Sequence, residues 1–404
     1  MASFEGEMTM DNSRQVINVL IIKSGESIKI KADDDEIDVD INSTVVPNVV
    51  RADFAVWFVL PIAMRRNADI FIQGTGSRIT AENAQKISQI WESWMPSRFN
   101  AVNVTFSDIC SPERFKLNSK NLCFYSGGVD STYSILGRCK NNLEQDLLTV
   151  HGMDYRYNDD DRFLKLIEKT KSFREKCSNE LIFVKTNIYD IYSKYDVNTK
   201  VTHVGHIFSL SGSAFLFSEH YSNISIAADY RLDQQFQVHP WGSNSATNIL
   251  FNDGTSFLLT DGDNVTRSEK MTYLLDSKEF LSTLSFCVDY NFRPNNCGLC
   301  SKCMRTKLMF FASTGIVPDI FKSLEINSDA IESIDLTKKS ERAFFLDLYG
   351  CAKKNGRLDE MPYLKVAFET LKKIDGYSPF QIYLNHCKKR VRKNFKFPKF
   401  LQRN

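Results

Sequence analysis

Between residues 121 and 229 the chain repeats one pattern: a short apolar run, a turn, then a longer stretch with helical spacing. The apolar runs are NLCFYS, DLLTVHGMD, ELIFVKT and NISIAAD. Residues 130–140, RFLKLIEKTKSFREK and HVGHIFSLSGSAFLFSEHY lie between or beside them. Strands this apolar need cover on both faces, and connections this long join parallel neighbours. The pattern predicts an α/β fold built on a doubly wound parallel sheet.

Residues 14–118 read as an N-terminal α/β domain. QVINVLII and SIKIKA are strands, joined by Lys23, Ser24, Gly25 and Glu26 in a hairpin turn. Thr80 is placed to cap a helix whose Ala84, Ile87, Trp91 and Trp94 recur at helical spacing before Pro96 ends it. FNAVNVTF is a further strand. The longest apolar run, ADFAVWFVLPIAM, is too short for a bilayer and contains Pro61. Residues 1–13 form a flexible N-terminus, 119–316 the domain built on the alternating stretch, with a cysteine cluster, and 317–404 a C-terminal helical region. A loop-rich stretch covers about residues 230–264, and RSEKMTYLLD is a helix. The last eighteen residues carry eight Lys or Arg and no acid. That tail is a solvated end or a contact for nucleic acid or an acidic protein face. Over 404 residues the net charge is only +2, so the whole chain does not read as nucleic-acid binding. Ten cysteines without a secretory pattern point to a reduced, cytoplasmic protein with no membrane segment.

The chemistry concentrates at SGGVDS, between the first of those strands and its helix. Gly127 and Gly128 let an anion approach backbone N–H groups, and the following helix adds the positive end of its dipole. Ser126 and Ser131 offer hydroxyl donors. Asp130 is anionic and repels phosphate, so it suits a Mg²⁺ ion bridging carboxylate and phosphate. Without a ligand, the same string is a strand-to-helix turn with Asp130 or Ser131 as cap. No G-x-x-x-x-G-K-[ST] string occurs.

Cys287, Cys297, Cys300 and Cys303 follow as C-x9-C-x2-C-x2-C, with Gly298 allowing the tight turn. Four thiolates in this spacing suit a closed Zn²⁺ site, with an iron–sulfur cluster or unligated thiols as the other readings. Other candidates are Asp229 after the fourth strand, with Arg231 and Asp233, placed to orient a ligand or a metal at the carboxyl edge of the sheet. Trp241, near His239 and Ser243, can stack on a planar base, and Arg267 can meet a phosphate or carboxylate. Each is equally an ordinary loop or helix-start residue. His203 and His206 lie three apart without a third ligand.

SGGVDS resembles the pyrophosphatase loop of the PP-loop ATPases, the adenine nucleotide α-hydrolase-like fold. That resemblance implies attack of a substrate oxygen on the α-phosphorus of ATP, with Ser126 and Asp130 in the chemistry. It also implies adenine cradled at the exit of the second strand, by Gly152 and Met153. CGLCSKCMRT, including Arg305, is similar to the zinc element of the 7-cyano-7-deazaguanine synthases, which activate a carboxylated 7-deazaguanine. Those enzymes are shorter, lack the N-terminal segment, and spell a different motif where this chain has AADYRLDQQFQVHPWGSNSATNILF. The longer layout resembles the synthase-like proteins of bacterial anti-phage operons (type IV CBASS and Qat systems). This implies ATP, Mg²⁺ and Zn²⁺ as cofactors, and transfer of a 7-deazaguanine acyl group to the amino terminus of a partner protein. A tRNA-modifying PP-loop enzyme, synthesis of the free nitrile, and a non-catalytic nucleotide-binding scaffold are the alternatives.

Overall fold

The computed structural model describes residues 14–32, 36–110, 120–198, 204–326, 336, 338–365 and 368–369. The first elements are β1 (Gln15–Ser24), β2 (Ser27–Ala32), β3 (Ile37–Ser43), α1 (Asp53–Arg66), β4 (Ala68–Ser77), α2 (Arg78–Trp94) and β5 (Val104–Cys110). The alternating stretch supplies β6 (Asn121–Phe124), α3 (Val129–Lys140), β7 (Gln145–His151), α4 (Asp160–Lys169), α5 (Lys171–Cys177), β8 (Leu181–Thr186), α6 (Ile188–Lys194), α7 (Gly205–Phe215) and β9 (Asn223–Ala227). Beyond it come α8 (Leu232–Val238), α9 (Ser245–Asn248), β10 (Phe257–Asp261), α10 (Arg267–Leu275), α11 (Ser301–Thr314) and α12 (Lys339–Lys354).

All ten strands belong to one mostly parallel sheet, in the order β10-β9-β6-β7-β8-β3-β2-β1-β4-β5. The strands from β6 onward are parallel to their sequence neighbours. The chain starts in their middle at β6, steps outward to β7 and β8, then crosses back to β9 and β10 on the other side. The N-terminal strands extend this sheet: β3 pairs antiparallel with β8, Ile41 opposite Thr186 and Ser43 opposite Val184. One apolar core likewise runs from Ile17 and Ile30 through Phe58 to Phe208 and Ile224.

The apolar run ADFAVWFVLPIAM is α1, a helix the sequence reading left unassigned. Its residues from Asp53 to Met64 are all buried, as expected for a helix apolar on every side. Trp57 packs against Phe251 (centroids 4.9 Å apart) and Phe215 (6.0 Å), and Phe58 O accepts a hydrogen bond from the Tyr192 hydroxyl at 2.9 Å. α1 therefore ties the N-terminal strands to α6 and α7. No helix among the described residues is long and apolar enough to cross a membrane.

Several boundaries differ from expectation. Ser77, not Thr80, caps α2, its Oγ accepting from Ile79 N–H at 3.1 Å; Thr80 is already inside the helix. The long helix expected after β7 divides at Thr170. The loop-rich stretch carries α8, α9 and β10. Residues 1–13, His203 and the basic tail lie outside the described residues.

Two outcomes test this packing. Trp57→Ala should cost about 3–5 kcal/mol, the usual penalty for truncating a buried indole, read from chemical unfolding. Burial, then the charge of Asp253, pushes the Asp53 carboxyl up to about 6, against the pull of Arg51. A carboxyl whose folded pKa exceeds its unfolded value binds more protons when folded. Asp53 therefore lowers stability as pH rises from about 4 to 6. Asp53→Asn should flatten the stability profile across that window, measured by thermal unfolding at each pH.

Candidate functional site

A cavity of about 580 Å³ opens at the carboxyl ends of β6, β7 and β9. The crossing from the β7 side to the β9 side happens here, and open α/β sheets bind ligands in such crevices. Ser126, Gly128, Asp130 and Ser131 form one wall. Gly127 turns the chain with φ +73°, which glycine adopts freely. Its carbonyl accepts from Ser285 N–H at 2.8 Å, fixing the loop against the segment before the cysteines. Gly128 is the N-cap of α3 and no side chain caps that end. Ser126 Oγ accepts from Gly128 N–H (3.3 Å), and Ser131 Oγ accepts from Ser126 N–H (3.4 Å). The two hydroxyls thus sit side by side at an uncapped helix start, an arrangement that welcomes an anion.

Asp130 is half-buried at the edge of this wall and carries two ion pairs. Its Oδ2 lies 3.2 Å from Arg267 and its Oδ1 lies 3.3 Å from Lys270. Burial pushes its pKa up, but Arg267, Lys270 and Lys302 outweigh that and hold the carboxyl below its ordinary value. Lys270 is 1% exposed and also donates to Ala228 O at 2.6 Å. Arg267 and Lys302 both line the cavity. Burial, then the neighbouring guanidinium of Arg267, holds the Lys302 ammonium below its usual pKa. Three cations thus converge on one carboxylate. Arg267 Nε is buried without a hydrogen-bond partner among the described residues. The surplus positive charge is what a phosphate or carboxylate ligand neutralises.

The guanidinium of Arg267 lies over the Phe344 ring at 5.3 Å, and that of Arg305 over the same ring at 3.8 Å. Glu341 accepts two 3.1 Å hydrogen bonds from Arg305. Helix α12 therefore braces α10 where the cations emerge.

Elsewhere the wall is apolar and aromatic, with Leu148, Val150, Met153, Tyr155, Tyr189, Leu210 and Ile226. Gly152 stands just behind Met153. Asp229 and Trp241 both reach the cavity and meet each other: the indole N–H donates to Asp229 Oδ2 at 2.9 Å. His206 and Ser243 line it too. Arg231 and Asp233 do not. They pair with each other at 2.6 Å, and both line a second cavity on the far side of α10.

The four cysteines come together, with every pair of Sγ atoms within 4.8 Å. Cys287 and Cys300 are 3.8 Å apart, Cys297 and Cys303 3.9 Å. A tetrahedral ion with Zn–S bonds of about 2.3 Å requires S···S edges of about 3.8 Å. Cys297 Sγ also accepts from the N–H groups of Leu299 and Cys300 at 3.3 Å. Gly298 has φ +80°, and a Cβ there would fall 2.1 Å from Ser323 O, so the turn between ligands needs glycine. The set suits zinc or a similar thiophilic ion, held by Cys287, Cys297, Cys300 and Cys303.

This centre shares a wall with the cavity. The span between Cys287 and Cys297 sends Val288, Tyr290 and Arg293 into it, and Lys302 lies between Cys300 and Cys303. The Tyr290 hydroxyl donates to Asp159 at 2.5 Å, and Arg293 bonds Cys287 O at 2.7 Å and the Asp154 carbonyl. Sequence reasoning missed Lys270, Lys302, Tyr290 and Arg293. The available signal for Lys270 was its place three residues after Arg267, on the same helix face; for Lys302 it was the ligand spacing itself.

Compared with known proteins, the chain matches no family model, no curated protein and no solved structure. The cavity joins an uncapped helix start and the cations Arg267 and Lys302 to an apolar wall, with four clustered cysteines beside it. The purified protein should carry one zinc per chain by elemental analysis. Cys303→Ser should abolish stoichiometric zinc and lower the thermal midpoint, because one missing thiolate opens the closed site.

Proposed function

We propose that this chain is an ATP-dependent enzyme that activates the carboxylate of a 7-deazaguanine and passes its acyl group to an amine, the amino terminus of a partner protein. A carboxylate oxygen attacks the α-phosphorus of ATP, and the bond to pyrophosphate breaks. The amine then attacks the acyl carbon of the adenylate, forming an amide, releasing AMP and giving up a proton. The observation that carries this reading is the meeting of the SGGVDS turn, a buried cation surplus and the cysteine-centred wall around one cavity. The strand order supports it as well: departure from a central strand in both directions is the order of doubly wound nucleotide-binding sheets.

In this reading Ser126, Ser131 and the backbone of Gly127 and Gly128 grip the pyrophosphate leaving group. Arg267 and Lys302 neutralise charge that builds on the phosphates in the transition state. Mg²⁺ bound with ATP would supply further neutralisation, and Asp130, in the same wall as Ser126 and Ser131, would hold it. The apolar wall beyond Met153 suits adenine. Asp229, oriented by the Trp241 indole, suits the N–H groups of a guanine-like base. The zinc centre's part is structural, fixing Tyr290, Arg293 and Lys302.

The test is ATP–pyrophosphate exchange dependent on 7-carboxy-7-deazaguanine, followed by intact-mass analysis of co-expressed partner proteins. Exchange and a mass increment on a partner terminus are expected. Arg267→Ala should lower kcat/KM about 100-fold, the usual cost of losing one transition-state donor. Absence of carboxylate-dependent exchange in the zinc-loaded protein, with Mg²⁺ present, would sink the proposal.

A further inference from the structure

Asp130 is an awkward neighbour for a phosphate. It lies in the same wall as Ser126 and Ser131, carries a full charge, and is only 13% exposed. Its two oxygens have different partners. Oδ1 faces Lys270, which is 1% exposed, does not line the cavity, and is also held by Ala228 O at 2.6 Å. Oδ2 faces Arg267, which does line the cavity.

Neither cation depends on Asp130 alone for its position. Lys270 is anchored by the Ala228 carbonyl. Arg267 opens α10, whose first turn is fixed by a capping box between Thr266 and Glu269, and its guanidinium rests over Phe344. Removing the carboxylate charge would leave both cations where they are, with more positive potential facing the cavity.

We propose, resting on the reading of this cavity as a phosphate site, that Asp130 is a resident counter-anion whose Oδ2 occupies the position at Arg267 that a phosphate oxygen takes in the loaded protein. On binding, Arg267 changes partner from Asp130 to the phosphate, assisted by Lys302. Asp130 keeps Lys270 through Oδ1 and presents Oδ2 to the cation that accompanies the phosphate. The exchange makes the site selective for a phosphate group that brings its own divalent cation. A bare anion must displace the carboxylate and then lie beside it, and like charges side by side repel.

The experiment is calorimetric titration with inorganic pyrophosphate, first in chelator and then in Mg²⁺, on the full zinc-loaded chain. Asp130→Asn should bind pyrophosphate about tenfold or more tightly than wild type in chelator, because the competing charge is gone. The same variant should gain less from Mg²⁺ than wild type does. Adding Arg267→Ala to it should erase the gain in chelator. Since Asp130→Asn leaves a buried ammonium short of a partner, Asp130→Asn/Lys270→Met is measured beside it and should show the same gain. If wild type binds pyrophosphate but both Asp130 variants bind it equally or more weakly in chelator, the partner exchange is wrong. If no form binds pyrophosphate under either condition, the phosphate reading of the cavity fails and takes this inference with it.

Discussion

The pairing of Asp130 with Arg267 and Lys270 is the interaction on which the site depends. It joins the start of α3 to α10, two elements 137 residues apart in sequence by their ion-pair partners, and it does so at the ends of the central strands. Burying three charges is expensive, and a pair that loses one member costs more than it gained. The cluster is tolerable because further contacts share the load: Lys270 donates to the Ala228 carbonyl, and Arg267 lies over the Phe344 ring. The third cation, Lys302, feels the charges of Asp154 and Asp130 but forms no close ion pair among the described residues.

That imbalance links the cavity to the cysteine centre. A divalent ion with four thiolates carries a net double negative charge, and α11 brings Lys302 and Lys307 alongside it. Lys307 is fully buried and donates to the carbonyls of Ser323 and Glu325. Helix α11 thus has one end at the sulfurs and a lysine facing the cavity. A metal held by these cysteines would anchor this wall and supply part of the field that makes a buried lysine acceptable.

The parts of the site visible in the sequence were those where one short string carries its own geometry. SGGVDS follows a strand and opens a helix, and its glycines and hydroxyls act within six residues. The cysteines announce themselves by spacing, because two C-x2-C steps close on one point whatever surrounds them. The alternating strands were legible for the same local reason. What stayed hidden depends on packing between distant segments. α1 has no amphipathic stripe to mark it, since it is enclosed on all sides. The pairing of β3 with β8 is a tertiary choice with no sequence-local cause. Arg231 and Asp233 looked like site residues from their distance past β9, but each is the other's best partner, and that pair turns away from the cavity.

Lys270 shows why charge partners are hard to read from sequence and decisive in structure. In sequence it is one lysine in a polar helix start. In the fold it sits at the back of the cavity wall, bonded to the carboxylate that the sequence had assigned to metal binding. A carboxylate facing only water would be free to take a divalent ion at any time. Asp130 is already satisfied on both oxygens, by Lys270 behind the wall and by Arg267 on the cavity side. Under the partner exchange inferred above, the order of events at this site would follow from which of the two partners a ligand can reach.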